Sequence, residues 1–439
     1  MLERLFRLKE NGTAVRTEVM AGLTTFLTMA YIILVNPTIL ADAGMPMAGA
    51  AAATCLAAAF GSIMMGLVAN YPIALAPGMG LNAYFTYTVV KGMGLPWETA
   101  LGCVFLSGVA FLILTLSGVR RLIVNAVPQS LYAAIAAGIG LFIAFIGLKG
   151  AGIVVANRAT TVALGDLTSP TAALALFGLV LTGALLAWRI RAAMLVGILA
   201  TTALAWAAGA VHWTSIDYSF EALTSTAFRL DIPAALGIGG KGVVLALIEV
   251  VAVFLFVDLF DNVGTLVAVT QRAGLIQPDG SIPRLNRILL TDSAAAIVGA
   301  AAGTTTTTSY IESAAGVAAG GRTGLTAVVV GLLFLAALAF APFAQVIPAA
   351  ATAPALILVG ALMMAPLAAS DWDDPLVAIP GFLTLIAIPL TFSIANGLAF
   401  GIVSYALLKL ARGQAKLGDG MLYLLAALFI ARFVWLAAG

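Results

Sequence analysis

Three carboxylates lie in parts of the sequence that are otherwise almost free of charge. Asp258 and Asp261 interrupt a long apolar run, and Glu312 follows five threonines, a serine, a tyrosine and an isoleucine. An ionisable side chain at the centre of a bilayer costs about 2.5–3.5 kcal/mol on insertion scales, so such groups usually serve a solute or ion pathway. The three carboxylates are therefore candidates for hydrogen bonding to a polar solute or for carrying a proton.

The two aspartates belong to a polar stripe on an apolar helix. Asp258, Asp261, Asn262 and Thr265 are spaced i, i+3, i+4 and i+7. This spacing places the four side chains on one helical face, which must contact protein or water rather than lipid. The alternative is that they only bond neighbouring helices together. We favour a binding role for the aspartates and leave Asn262 and Thr265 open between the two roles.

Glu312 has a structural alternative of its own. Ser309 and Glu312 have the spacing of a capping box, in which both side chains satisfy backbone N–H groups at a helix start. A carboxylate beside the N-terminus of a half-helix can instead accept from a ligand N–H while backbone N–H groups donate to a ligand carbonyl or ring nitrogen. A nucleobase offers that donor–acceptor edge, and we favour this interpretation.

The carboxylates also indicate coupling to protons. Two or three of them in one apolar site cannot all ionise cheaply, because burial disfavours the charged form and like charges repel. One is expected to hold a proton, and an arriving solute can change which one does.

Composition shows what solvent surrounds these groups. Of 439 residues, 62% are hydrophobic and 9% are charged, and the mean hydropathy is +1.11. A soluble domain is about a quarter charged, so this chain is expected in a lipid bilayer. The net charge of +2 gives no reason to expect a nucleic acid partner. Cys55 and Cys103 lie in apolar runs without metal-ligand spacing, and we expect no metal site or cofactor.

The elements that must position the carboxylates are membrane spans of about 20 apolar residues. We expect twelve spans and a further apolar helix at 420–438. The spans are 19–40, 48–69, 98–118, 128–148, 171–188, 193–211, 243–270, 286–303, 323–346, 351–368, 376–394 and 396–411.

Two further segments are expected to cross without forming a full helix. We call 72–90 the first broken segment and 304–321 the second. Each begins with residues that favour extended backbone and then becomes helical. Non-helical backbone at membrane depth survives only inside protein or around a wet cavity. Broken segments at matching places in two halves are typical of a transporter's central site.

The crossings predict an inverted repeat. With the broken segments, each half has seven crossings, and an odd number inverts the second half relative to the first. Lys and Arg then cluster on one side, which we take as cytoplasmic, with the N-terminus inside. Residues 1–18 are expected to form an amphipathic helix on that side. His212, the one histidine, falls in the external loop.

Four motifs resemble a known family. They are GLTTFLTMAYIILVNP at 22–37, APGMGLNAYF at 76–85, VDLFDNVGTL at 257–266 and GTTTTTSYIESAAG at 303–316. They resemble the adenine–guanine–hypoxanthine (azaguanine-like, AzgA-like) purine permeases of the nucleobase–cation symporter and nucleobase–ascorbate transporter superfamily. The resemblance covers essentially the whole chain. It implies an all-α fold of 14 transmembrane segments as a 7+7 inverted repeat, a homodimer, and elevator-like, proton-coupled uptake of purines across the bacterial cytoplasmic membrane.

The resemblance also implies a division into core and gate domains. The ranges are 1–18 for the N-terminus, 19–118 and 243–346 for the core, 119–211 and 347–439 for the gate, and 212–242 for the external loop.

Carried over by motif, the resemblance implies a purine site. Its central polar residues are Asn82, Asp258, Asp261 and Glu312, with Asp261 the favoured proton-linked group. The neighbours implied to line the site or support it are Ala83, Thr308, Ser309, Tyr310, Ile311, Tyr31, Asn262 and Thr265.

Other functions remain open. A uracil or xanthine carrier, or a sulfate- or bicarbonate-type anion carrier, could share this fold, although carboxylates in the site would repel an anion. An intramembrane enzyme would need a metal-binding motif, and the aspartates here have no companion histidines. An ion channel would not need two half-helices aimed at one pocket.

Overall fold

The computed structural model describes residues 2–117, 128–210, 219–238, 244–275 and 282–438. These residues are mostly helical, with two short antiparallel strand pairs. Ten of the helices in the described ranges are long and apolar enough to cross a membrane. Three shorter apolar helices lie at Ala193–Ala207, Pro375–Thr391 and Gly420–Val434. The expectation of a helical, multi-pass membrane protein is thus confirmed.

The elements follow the expected spans closely. The α-helices are α1 (Leu2–Phe6), α2 (Val15–Met29), α3 (Ile32–Ala41), α4 (Met47–Met64), α5 (Met79–Ala83), α6 (Lys91–Met93), α7 (Trp97–Ser117), α8 (Gln129–Gly150), α9 (Pro170–Ala187), α10 (Ala193–Ala207), α11 (Phe220–Thr224), α12 (Ile232–Ala235), α13 (Val244–Arg272), α14 (Leu285–Ala302), α15 (Ser313–Ala318), α16 (Gly324–Ala337), α17 (Ala349–Leu362), α18 (Pro375–Thr391), α19 (Ile394–Ala411) and α20 (Gly420–Ala438). The strands are β1 (Leu75–Pro77), β2 (Val154–Asn157), β3 (Thr161–Leu164) and β4 (Thr307–Ser309). Two π-helical segments (Met65–Ala69, Tyr84–Val90) and three 3₁₀ segments (Leu338–Val346, Ala365–Ala369, Leu417–Asp419) complete the set.

Local chemistry explains several helix ends. Ser169 precedes Pro170 and accepts from the N–H of Ala172, which is the polar cap and first-turn proline expected at a helix start. Asp374 caps α18 in the same way and accepts from the N–H of Leu376. At the C-terminal end of α14, Gly303 has φ +98°, a backbone conformation that favours glycine.

The first expected span is two helices rather than one. It is interrupted at Ala30 and Tyr31, between α2 and α3, although both residues keep right-handed φ and ψ. Hydrogen bonds from Ile33 to Ala30 and from Leu34 to Tyr31 tighten the chain at this point. The interruption places Tyr31 at the junction between the helices.

Both broken segments have the form expected from sequence. The first contains β1, α5 and a π-helical stretch, and the second contains β4 and α15. Proline at 77, which has no backbone N–H, and the β-branched threonines at 307 and 308 account for the extended starts.

The N-terminus differs from expectation. Only Leu2–Phe6 is helical before α2 begins at Val15, so 1–18 is not one amphipathic helix. Phe6 and Leu8 are buried against Leu325, which folds the segment onto the protein. Glu18, at the end of that expected helix, is fully buried within α2, where the backbone N–H groups of Arg322, Thr323 and Thr326 bind its carboxylate.

The chain divides into two compact units. One comprises Met1–Ile113 and Ile146–Leu358, and the other comprises Leu114–Phe145 and Val359–Gly439. The first unit contains both broken segments and also α9 and α10, which we had assigned to the gate. The core and gate boundaries stay a prediction. His212 and part of the loop 212–242 lie outside the described residues.

Candidate functional site

The two broken segments meet through their strands. β1 and β4 are antiparallel, with Leu75 opposite Ser309, Ala76 opposite Thr308, and Pro77 opposite Thr307. The pairing extends at each end, because Gly78 N–H donates to the Thr306 carbonyl at 2.9 Å and Tyr310 N–H donates to the Ala74 carbonyl at 3.0 Å. The residues after each strand are therefore brought to one place in the first unit.

Side chains from nearby elements satisfy the remaining backbone groups of β1. The Ser62 hydroxyl accepts from the Leu75 N–H at 3.0 Å and donates to the Leu75 carbonyl at 3.2 Å. The Ser313 hydroxyl accepts from Ala74 N–H at 3.0 Å. Non-helical backbone buried among spans needs such partners. These bonds allow the chain to remain extended at the site.

Glu312 follows β4 and is hydrogen-bonded to Tyr31 at the junction between α2 and α3. The Tyr31 hydroxyl donates to Glu312 Oε1 at 2.7 Å, and Tyr31 is only 2% exposed. The capping-box alternative is wrong. Glu312 itself occupies the N-cap position of α15 and makes no side-chain capping bond there, while Ser309 ends β4. The carboxylate is thus held by a phenol and partly accessible.

Asp261 is the second accessible carboxylate of the cluster. It lies within electrostatic range of Glu312. A methyl group placed on Gly78 Cα would lie 3.8 Å from Asp261 Oδ2, so this carboxylate faces the end of β1. Tyr310 stands within electrostatic range of both carboxylates and donates its hydroxyl to the Pro77 carbonyl at 2.5 Å.

The other members of the α13 stripe are more deeply buried. Asp258 is 1% exposed, Asn262 is 0% exposed and Thr265 is 8% exposed. The Asn262 amide donates to the Ser309 hydroxyl at 3.5 Å, which joins α13 to β4. Within the described ranges, Thr265 makes no hydrogen bond to another candidate residue. The stripe faces protein as expected, and Asp261 is its accessible member.

Asn82 sits at the start of the helical part of the first broken segment. It is completely buried, and the Thr305 hydroxyl bonds to its carboxamide oxygen. Its carboxamide nitrogen has no hydrogen-bond partner among the described residues. Ala83 lies beside it and is 1% exposed. Asn82 therefore carries a buried donor that a ligand acceptor or a water molecule could use.

Thr308 and Ile311, the two remaining predicted residues, differ in exposure. Thr308 is buried, and its methyl group lies 3.0 Å from a methyl group placed on Gly78. Ile311 is 48% exposed. Next to Glu312, Ile311 gives the accessible side of the cluster an apolar surface against which a flat ring could pack.

Sequence reasoning missed the supporting hydrogen bonds of this region. The Asn36 amide donates to the hydroxyls of Thr54 and Thr304, at 2.8 and 3.0 Å, and so links α3, α4 and the threonine run. Thr305 and Ser313 are two further supporting residues that the sequence did not reveal. The threonine run at 304–308 was a signal for Thr305. The local sequence around Ser313 gives no comparable signal.

The cluster can bind a small polar molecule at several points. Two carboxylates accept hydrogen bonds, Asn82 offers a donor, and Ile311 offers an apolar surface. Among the described residues no group of three or more His, Cys, Asp or Glu side chains could hold a metal ion. These groups suit a small ligand that carries both hydrogen-bond donors and acceptors.

Residues 16–402 match a protein family described as a permease family (Xan_ur_permease). The chain is 45% identical over 438 residues to the adenine permease AdeP of Escherichia coli, covering 100% of this chain and 97% of AdeP. It is 45% identical over 447 residues to the guanine/hypoxanthine permease PbuG of Bacillus subtilis, covering 99% of this chain and 100% of PbuG.

Among solved structures, the chain resembles the transmembrane domain of the cyanobacterial bicarbonate transporter BicA. The TM-score is 0.64 at 15% identity, and the match covers 89% of this chain and 96% of that domain. At this identity the likeness shows the fold alone.

Proposed function

The chain belongs to the permease family that its residues 16–402 match, and on that premise we propose that it takes up purine nucleobases across a bacterial cytoplasmic membrane. The family and the names of the relatives indicate a transporter rather than an enzyme. Relatives named as adenine and guanine/hypoxanthine permeases match nearly the full length of the chain, which supports a purine as the substrate.

The observation that carries the proposal is the position of Glu312. Tyr31 holds one of its oxygens at the meeting point of the two broken segments, and the carboxylate stays partly accessible. A purine presents adjacent N–H donors and ring-nitrogen or carbonyl acceptors. Glu312 would accept from the N–H, and the Asn82 amide would donate to an acceptor elsewhere on the ring. Ile311 would cover one face of the ring.

A second carboxylate supports the proposal of proton coupling. Asp261 and Glu312 lie within electrostatic range of each other, so charging both in one site is unfavourable. We assign the coupled proton to Asp261 and the main base contact to Glu312. Asp258, buried one turn away, would support the site and contact the base less directly than sequence alone suggested.

We further propose the architecture that the resemblance implied. It comprises fourteen segments in a 7+7 inverted repeat, with the N-terminus cytoplasmic and a core domain that moves like an elevator against a gate in a homodimer. The strand pairing of the two broken segments supports a repeat, since one broken segment from each half enters the same site.

The anion-carrier alternative rests on fold likeness to a bicarbonate transporter. Two accessible carboxylates within range of each other would repel a bound anion. A neutral, hydrogen-bonding base is the better fit. A uracil or xanthine carrier remains the alternative within the same family.

The test is uptake into proteoliposomes. Labelled adenine, guanine, hypoxanthine, xanthine, uracil and bicarbonate would be offered with and without an inward proton gradient, to wild type and to Glu312→Gln. Gradient-driven purine uptake that the variant loses would support the proposal. The matched control is Glu221→Gln, because Glu221 is exposed on a short helix outside the site and its variant should transport normally.

Two outcomes would contradict the proposal. Purine uptake equal in wild type and Glu312→Gln would remove Glu312 from the site. Uptake of bicarbonate or uracil without purine uptake would show a different substrate class.

A further inference from the structure

A cavity whose lining contains none of the carboxylates lies elsewhere in the first unit. Its volume is about 590 Å³, and it is bordered by α2 and α3 on one side, α10 on another, and the 3₁₀ segment Leu338–Val346. Large apolar side chains form its walls, among them Phe26, Leu199, Trp206, Phe340 and Phe343. We call this cavity the α2–α10 groove.

The groove offers nothing to a polar ligand. Its threonine, Thr202, donates its hydroxyl to the Ile198 carbonyl of its own helix at 2.8 Å, a bond that removes the hydroxyl from the cavity. A nucleobase placed there would lose its hydrogen bonds to water without replacement. The groove is therefore not an extension of the Glu312 site, and its occupant must be apolar along its length.

The groove is long and open to the side. The lining residues of α10 run from Leu195 to Trp206, which at 1.5 Å per residue is about 16 Å. One leaflet of a bilayer has a hydrocarbon layer about 15 Å thick. Leu199 is 49% exposed, Trp206 is 61% exposed and Phe340 is 65% exposed, so the groove opens at the protein surface. Its length and openness match a single acyl chain lying along α10.

A cationic group lies just beyond one end. Arg191 is one turn before Leu195, and its guanidinium donates to the Thr24 hydroxyl on α2 at 3.1 Å. This bond uses one of five N–H donors and holds the group at the mouth of the groove. Arg189 is two residues away, and Arg16 lies on the Thr24 face of α2; all three arginines are exposed.

Among the residues that the structure describes, no carboxylate forms an ion pair with Arg191. Glu18 is fully buried, and its carboxylate accepts from the backbone N–H groups of Arg322, Thr323 and Thr326. Arg191 is exposed and can therefore pair with an anion outside the protein. Arginine binds phosphate well because its planar fork presents parallel donors.

We propose that the α2–α10 groove binds an anionic phospholipid, with one acyl chain in the groove and the phosphate on Arg191. The acyl chain would lie in the cavity that α10 borders together with α2 and α3, which adjoin the Tyr31 junction. The proposal concerns lipid binding and does not depend on which solute is transported.

The test measures lipid retention by native mass spectrometry of the full-length protein in detergent. Phosphatidylglycerol and phosphatidylethanolamine would be added separately to wild type, Arg191→Gln and Ala203→Trp, since Ala203 lines the groove and tryptophan would fill it. The matched controls are Arg158→Gln, on the exposed β2–β3 turn, and Val180→Trp, on an exposed position of α9.

We expect wild type and both controls to retain phosphatidylglycerol in preference to phosphatidylethanolamine. Arg191→Gln should lower phosphatidylglycerol retention at least tenfold, and Ala203→Trp should lower retention of both lipids. Retention unchanged by Ala203→Trp would overturn the groove as the site. Equal retention of the two lipids by wild type, or no effect of Arg191→Gln, would overturn the anionic headgroup. A dimer that Ala203→Trp converts to monomer would show that a second copy occupies the groove. Arg191→Gln changes an exposed side chain and keeps the test valid if Ala203→Trp does not fold.

Discussion

The hydroxyl of Tyr31 donates to Glu312 Oε1 at 2.7 Å, across 281 residues of sequence. This bond connects the interruption of the first span to the residue at the N-cap of α15. Because the buried Tyr31 phenol binds only Oε1, it fixes the rotamer of Glu312 and leaves Oε2 for a ligand. The pair is therefore a natural place to test the proposed site.

Replacing Tyr31 with phenylalanine removes the donor and keeps the ring. A hydrogen bond to a charged group contributes about 1.5–3 kcal/mol, so we expect purine uptake to fall by roughly ten- to hundredfold. Initial rates in proteoliposomes measure the effect. Tyr87→Phe is the matched control, because the Tyr87 hydroxyl also donates to a carboxylate, Asp42, at 2.7 Å but at an exposed position. Equal losses in both variants would show that the Tyr31 bond has no special part in transport.

Asp261→Asn should separate binding from coupling. Asparagine keeps the size and polarity of the side chain but cannot take up the proton that we assign to Asp261. We expect accumulation driven by a proton gradient to disappear while exchange of labelled for unlabelled purine persists. Asp258→Asn, at a buried position one turn away, is the comparison and should retain gradient-driven accumulation at a reduced rate. Accumulation that survives Asp261→Asn would place the coupled proton on another group.

Gly78→Ala should narrow the site without disturbing the backbone. Gly78 has φ −72°, which alanine adopts freely, but the new methyl group would lie 3.0 Å from Thr308 Cγ2 and 3.8 Å from Asp261 Oδ2. We expect KM for purine to rise several-fold with little change in thermal stability.

Gly183→Ala is the control for that substitution. Apart from its chain neighbours and the backbone of its own helix, no heavy atom of the described residues lies within 4 Å of the position where its Cβ would be, so uptake should not change. Alanine in a helix interior should add up to about 1 kcal/mol of stability. Purine kinetics for Gly78→Ala equal to those of Gly183→Ala would place Gly78 outside the site.

Glu18→Gln should destabilise the protein without touching the site. The Glu18 carboxylate accepts from three backbone N–H groups and from the Thr326 hydroxyl at 2.6 Å. Glutamine replaces one acceptor with a donor, and each buried N–H left without a partner costs about 1–3 kcal/mol. The melting temperature in detergent should fall by several degrees. Glu10→Gln, at an exposed position in the same terminal segment, should change the melting temperature by less than about a degree. An equal fall in both variants would show that the buried hydrogen bonds of Glu18 do not stabilise the protein.

The sequence by itself determined the membrane fold, most of the helix positions and the polar residues worth testing. Long apolar runs leave the chain no stable solvent but lipid, and in lipid a run of 20 residues must satisfy its own backbone as a helix. The threonine run and Pro77 predicted extended backbone at both broken segments, as the structure shows. The spacing of Asp258, Asp261 and Asn262 placed them on one inward face of α13, because the helical repeat depends only on local geometry.

Only the tertiary structure decided how those residues are connected. The pairing of β1 with β4 brings together segments that lie more than 200 residues apart, and it selects Asp261 and Glu312 as the accessible carboxylates. Tertiary packing also makes Glu312 a partner of Tyr31 instead of Ser309. Separately, it buries Glu18 against residues 322–326. Local spacing cannot predict such outcomes, because a polar group buried in lipid takes whichever partner the packing of distant helices supplies.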